Sequence, residues 1–163
     1  MPGASPRATP GRRPVLLIVG CGDVGLRVLR LLGGRWRVLA LSSSPQRLAE
    51  LRQAGAVPLP GNLDDAATLR RLAGLADAVL HLAPPPGQGA QDSRSRHLVQ
   101  ALMRGTRVKR LVYGSTTGVY GDCGGDWLDE TRPPRPTSAR GARRVAAARA
   151  LRHPPTAPRT RHR

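Results

Sequence analysis

Apolar and polar positions along this chain fall into a repeating order of short apolar runs and helical periods. Val15 to Val19 is an unbroken apolar run followed at once by glycine, the pattern of a strand buried on both faces. From Asp23 to Leu32 apolar residues recur at helical spacing (Val24, Val28, Leu31, Leu32). That period stops at Gly33-Gly34, a C-terminal helix signal. Trp36 to Leu41 predicts a second strand. Ser44-Pro45 then opens a helix to about Ala54, with serine as cap and proline in the first turn. Ala56 to Leu59 reads as a third strand, Asp64-Asp65 as the cap of a helix through about Ala73, and Ala78 to Ala83 as a fourth strand. Pro84-Pro85-Pro86-Gly87 can continue neither element and predicts a stiff loop. A helix is expected over Asp92 to Arg104 and a fifth strand over Val108 to Tyr113. After a Gly-rich loop, a last helix runs from Ser138 to about Arg152, before Pro154-Pro155.

Composition narrows this picture. The 163 residues are 39% hydrophobic but only 2% aromatic, so the core has to be built from Leu, Val and Ala. The formal charge of +17 first suggests a nucleic-acid binder. Its placement argues otherwise: Arg132 to Arg163 holds ten Arg and no acid, and residues 1–13 hold three more. Residues 14–131 carry 14 basic and all 10 acidic residues, a net of +4, so the excess reads as a property of the tails. Nucleic acid is therefore expected to meet only non-specific contact from the Arg-rich tail. Cys21 and Cys123 lie far apart with no CxxC or Cys/His cluster, which argues against a structural zinc site and a disulfide framework, and no metal site is expected. No run approaches the length of a membrane span, and no apolar leader precedes the first strand, so a cytoplasmic setting is expected.

The chemistry-bearing signal is Gly20-Cys21-Gly22-Asp23-Val24-Gly25, a GxGxxG sequence directly after a strand and directly before a helix. Gly20 allows the tight turn, Gly22 lets backbone approach a pyrophosphate, and Gly25 lets helix and strand pack closely. The helix start then offers unpaired N–H groups and the positive end of its dipole. In this context the element order predicts an α/β fold, a Rossmann-like doubly wound parallel sheet. About five strands are expected in order 3-2-1-4-5. The domain is placed at 15–149, with a disordered lead-in at 1–14 and a disordered Arg/Pro-rich tail at 150–163. An NAD site would place an acid at the end of the second strand to bind the ribose hydroxyls. Here that position falls in Leu41-Ser42-Ser43-Ser44, with Arg47 one helical turn on, which leans to NADP over NAD.

Four segments in order, VGCGDVGLRVLRLL, PGNLDD, HLAPP and RLVYGSTTGVYGD, resemble the extended short-chain dehydrogenases/reductases. They are most similar to the atypical members of the NAD-dependent epimerase/dehydratase-like group, over about Val15 to Arg149. The resemblance implies an NAD(P)-binding oxidoreductase- or epimerase-like protein. By position it puts Asn62 and Leu63 at the adenine, with Asn replacing the usual acid, and Leu82 and Ala83 at the cofactor's centre. It puts Thr116 where the family has its catalytic Ser/Thr; the competing reading is a strand-end threonine that satisfies local backbone. Where the family carries Tyr and, one helical turn later, Lys, this chain has Arg140 and Arg144. Arginine holds its proton too tightly for acid/base work near neutral pH, so the usual relay is lost. Arg144 remains able to act as a fixed cation at the nicotinamide ribose. Family members also continue into further strands and a substrate-binding part, whereas this sequence ends in HPPTAPRTRHR, so the resemblance implies a sheet incomplete on its C-terminal side and a truncation or a frameshift near Ala148.

Two further groups complete the reading. His81 reads as a buried core histidine and His97 as solvated on its helix. Asp122, Asp126, Asp129 and Glu130 read as a solvated substrate-side loop, since their spacing matches no cation site. Three functions stay open: an enzyme with altered chemistry on an unknown small-molecule substrate, a non-catalytic dinucleotide-binding or sensor module, and an inactive truncated fragment.

Overall fold

The computed structural model describes residues 12–152; the lead-in and tail expectations at 1–11 and 153–163 lie outside the described residues. Five strands, β1 (Val15–Val19), β2 (Arg37–Ser42), β3 (Val57–Pro60), β4 (Ala78–His81) and β5 (Arg110–Tyr113), pair in parallel in the order β3-β2-β1-β4-β5. The expected Rossmann-like order is the one observed. Helices α1 (Asp23–Leu32), α2 (Pro45–Gln53), α3 (Ser93–Leu102) and α4 (Ala139–Arg152) accompany the sheet, with 3-10 segments at Ala66–Leu72 and Thr117–Tyr120.

The central strand explains the unbroken apolar run. All five residues of β1 are buried, and alternate side chains face opposite layers. Leu17 and Val19 join Leu39, Leu41 and Val79 against Leu69, Leu72, Leu98 and Leu102 from the first 3-10 segment and α3. Leu16 and Ile18 join Val38 and Ala40 against Leu29 of α1 and Leu51 of α2. Each fully buried Leu or Ile stabilises the fold by about 1.5–3 kcal/mol. The two prolines of β3, Pro58 and Pro60, sit at the sheet edge, where a strand can spare N–H groups. β5 forms the other edge and leaves Val112 exposed.

Two expectations need correction. The helix read over Asp64 to Ala73 is a 3-10 segment, Ala66–Leu72, with Asp65 alone as its cap, accepting from the Ala67 N–H at 3.0 Å. Leu69 and Leu72, three residues apart, are both fully buried, and a three-residue turn places them on one face. The charge also sits differently from the reading that gave it to the tails. Seven of the ten arginines between 132 and 163 belong to the described residues, which carry 23 basic and 10 acidic residues in all. Arg143 and Arg144 on α4 are buried. Their guanidinium groups are spent on backbone carbonyls: Arg143 donates to Gly89 at 2.9 Å, and Arg144 donates to Gly114.

The ends of the sheet opposite the glycine loop are pinned by one carboxylate. Asp77 accepts from the Val15 N–H at 2.7 Å and takes Arg107 in a two-point pair at 2.9 and 2.8 Å. The Arg107 guanidinium, followed by the Val15 N–H, holds Asp77 down to about 2 against the burial that would raise it.

Candidate functional site

At the carboxyl ends of β1, β2 and β4 lies an open cleft of about 540 Å³. Its lining includes Gly20, Cys21, Gly22, Ser42, Ser43, Arg47, Asn62, Leu63, Leu82 and Ala83, which are ten of the sequence-predicted cofactor residues. Asp23, Val24 and Gly25 follow on α1. This is the crevice in which open α/β sheets bind ligands.

Each glycine of the loop does a separate job. Gly20 has φ +81°, and a Cβ on it would lie 2.5 Å from the Ala83 backbone nitrogen, so this turn and its approach to β4 exclude any side chain. Gly25 would meet the Cys21 sulfur at 2.9 Å and Ile18 at 3.3 Å, which is the close helix–strand packing its position requires. Gly22 differs: a Cβ there would meet nothing within 4 Å, and the residue borders the cleft. The first hydrogen bond of α1 runs from Leu26 N–H to Gly22 C=O at 2.9 Å, leaving the N–H groups of Asp23, Val24 and Gly25 without partners inside the helix. An anion at this helix start would meet those donors and the positive dipole end. Asp23 is exposed and paired with Arg27 at 2.8 Å, which offsets its charge at the mouth.

The flanks are held by contacts the sequence did not reveal. Arg47 donates to the Cys21 carbonyl at 2.7 Å and lies 3.4 Å from Glu50, so it braces the glycine loop from α2. Burial pushes the Cys21 thiol up, with the Arg47 charge acting the other way. Across the cleft Arg94 of α3 takes Asp64 in a two-point pair at 2.7 Å and also donates to Pro84 C=O at 3.3 Å. The Arg94 hydrogen bonds hold the Asp64 carboxyl below its ordinary range. His97, read as solvated, is instead half-buried, with Nδ1 2.8 Å from the Leu63 carbonyl. Arg94 and His97 thus clamp the loop that presents Asn62 and Leu63. No sequence signal marks them, because only the fold brings α3 beside the loop after β3. The Asn62 side-chain oxygen accepts from Asp64 N–H at 2.9 Å, which turns its amide nitrogen into the group available for a ligand.

Thr116 caps the second 3-10 segment, accepting from Gly118 N–H at 3.4 Å, and is exposed. Arg140 is exposed on the first turn of α4, while Arg144 is turned inward, its guanidinium carbon 5.5 Å from the centre of the Tyr113 ring. Burial pushes the Tyr113 hydroxyl up. His81 is fully buried, 2.8 Å from the Ser95 hydroxyl, and that hydroxyl donates to Asp92 at 2.7 Å. Burial holds the imidazole down to about 4. The acids after β5 serve local turns: Asp122 accepts from Gly124 N–H, Asp129 from Thr131, and Asp126 approaches Arg132 at 3.9 Å. Among the described residues no three His, Cys, Asp or Glu side chains converge on a cation position.

Comparison with known proteins agrees with this geometry. Residues 20–153 match the family model described as NAD(P)H-binding. No curated protein matches the chain. A conserved protein of unknown function from Silicibacter pomeroyi is 29% identical with a TM-score of 0.65, over 86% of this chain and 49% of that one. A double mutant of dTDP-glucose 4,6-dehydratase from Streptomyces venezuelae, solved with NAD bound, is 26% identical with a TM-score of 0.68, over 84% and 50%. A short-chain dehydrogenase/reductase superfamily protein from Agrobacterium tumefaciens, with NAD bound, shares the fold at 24% identity and a TM-score of 0.66, over 85% and 44%. The chain spans about half the length of these solved structures. With the glycine loop, the strand order and the family match in agreement, the chain belongs to the NAD(P)H-binding family, and its fold is the Rossmann-like part of epimerase, dehydratase and short-chain dehydrogenase/reductase structures.

Proposed function

We propose that this chain binds a dinucleotide along the cleft, NADP in preference to NAD, as the cofactor domain of an oxidoreductase or epimerase/dehydratase-like protein that lacks the Tyr-Lys proton relay. The observation that carries the binding reading is Gly22, the one glycine of the loop with open space where a Cβ would be, beside unpaired N–H groups of α1. The pyrophosphate belongs at Gly22 and the first turn of α1. Asn62 and Leu63 border the adenine end, and Leu82 and Ala83 the centre. The preference for NADP rests on the end of β2, where Ser42 and Ser43 stand in place of an acid that would repel a 2′-phosphate.

When bound, a nicotinamide supplies hydride exchange; the protein's own part is orientation and proton handling. Arg140 and Arg144, standing where the relay's Tyr and Lys would, support its loss. Arg144 acts as a positioning residue that ties α4 to the carbonyl of Gly114, next to the turn bearing Thr116. Its burial favours a second reading, a dinucleotide-binding module without catalysis on an unidentified substrate. The two free thiols, Cys21 and Cys123, support a cytoplasmic setting, and among the described residues no helix is long and apolar enough to cross a membrane.

Fluorescence titration with NADPH and NADH tests the binding reading. Saturable binding with tighter NADPH is expected, and a folded chain that binds neither contradicts it. Turnover of NADPH with a carbonyl or sugar-nucleotide substrate at wild-type Arg140 would refute the non-catalytic module.

A further inference from the structure

Arg47, the cation that sequence points to beside the serines, is engaged on both sides by the Cys21 carbonyl and Glu50. A second cavity, also about 540 Å³, opens from the same place. It shares Ser42, Ser43, Gly61 and Asn62 with the dinucleotide cleft, so the two are continuous at the end of β2. Its far wall is the first 3-10 segment, which contributes Arg70 and Arg71. Both arginines are exposed and neither pairs with a carboxylate among the described residues. No Asp or Glu lines this cavity. Of the two nearby acids, Asp64 is taken by Arg94 and Asp65 caps the 3-10 segment. The start of α2, capped by Ser44 without a side-chain hydrogen bond, adds its positive dipole end through Pro45 at the cavity wall.

We propose that Arg70 and Arg71, with the hydroxyl of Ser43, form the subsite that takes a phosphate monoester dianion, the 2′-phosphate of NADP, and so set the cofactor preference. This rests on the dinucleotide reading above, and adds which cations make the choice. Arg71 is held beside the cavity it lines, since its guanidinium donates to the Pro60 carbonyl at the end of β3. Arg70 carries no hydrogen bond to protein among the described residues and supplies the second fork. Two guanidinium groups match a dianion in charge and in donor geometry. Arg47 serves both dinucleotides alike, through the glycine loop it braces.

The test compares affinities for NADP⁺ and NAD⁺ by calorimetry on the full chain, for wild type, the double variant Arg70→Gln/Arg71→Gln, and Arg47→Gln. The double variant is expected to lose about tenfold or more in NADP⁺ affinity with NAD⁺ affinity unchanged. Arg47→Gln is expected to weaken both in equal proportion. Adenosine 2′,5′-bisphosphate against AMP isolates the phosphate: wild type should prefer the bisphosphate and the double variant should not. Equal loss of both dinucleotides in the double variant, or a selective loss of NADP⁺ in Arg47→Gln, overturns the assignment. So does a wild type that binds NAD⁺ and NADP⁺ equally, which leaves the dinucleotide reading standing. If inorganic phosphate alone binds wild type and is lost in the double variant while the bisphosphate shows no preference, the pair holds free phosphate and the assignment is overturned. A folded wild type that binds no dinucleotide and no bisphosphate overturns both readings together.

Discussion

Gly20 and Gly22 occupy the same short loop yet answer to different constraints, and substitution separates them. Gly20 has a left-handed φ and no room against Ala83, so Gly20→Ala acts on folding: a loss of about 1–3 kcal/mol, read as a lower urea midpoint. Gly22 has a φ of −85°, which any residue adopts, and open space beyond it. Gly22→Val should keep the urea midpoint and remove dinucleotide binding by filling the place of the pyrophosphate. His81 gives a second residue-scale prediction. Its folded pKa near 4 lies below the ordinary 6.5, chiefly through burial, so the folded state holds it neutral while the unfolded chain takes up the proton. The stability this provides is whole above pH 6.5 and drains as pH falls toward 4, at up to about 1.4 kcal/mol per unit. Urea unfolding at pH 7.5, 6 and 5 measures it. A slope that persists unchanged in His81→Gln would assign the effect to other groups.

Among the elements, α3 and the first 3-10 segment matter beyond their packing. Arg94 and His97 on α3 fix the loop after β3, so Asp64→Asn and Arg94→Gln should each lower dinucleotide affinity by about three- to tenfold with little change in unfolding midpoint. Calorimetry on either variant checks this, and undiminished affinity would show that the loop holds its place without the clamp. At the other end of the strands, Asp77→Asn leaves Arg107 and the start of β1 without their partner and should cost about 1–3 kcal/mol. The pH dependence has the opposite course from a raised group: Asp77, held down to about 2, stabilises the fold above its ordinary carboxylate range and loses that contribution as pH falls toward 2. The element boundaries were legible where a strong local signal stood, as at Gly33, the left-handed cap of α1, and Asp92, the cap of α3. They were less so between Asp64 and Ala73, because a 3-10 segment and a short α-helix share the same caps and differ only in whether Leu69 and Leu72 must face one way.

For the whole molecule, periodicity plus one glycine loop was enough to place the strands and the cleft. Each strand's burial is written in its own residues, and the crevice follows from the order β3-β2-β1-β4-β5. The long-range polar contacts were hidden. Asp64 meets Arg94 and Asp77 meets Arg107 across 30 positions each, and nothing local in a charged residue names its partner. The charge was misplaced for the same reason: a run of arginines after Arg132 resembles a tail, yet Arg143 and Arg144 are buried because the loop after β4 and the end of β5 supply backbone carbonyls to receive them. Sequence thus located the glycine loop and its cleft but could not tell an arginine bracing the loop from one lining a neighbouring cavity.

Every function proposed for this chain depends on the Gly20–Gly25 turn and its cleft holding a dinucleotide. Calorimetric titration of NADPH into wild type and into Gly22→Val, side by side, tests it most directly. Saturable binding at one site per wild-type chain is expected, and none in a variant whose unfolding midpoint is unchanged. Equal binding by the two folded proteins, or none by wild type, would contradict it.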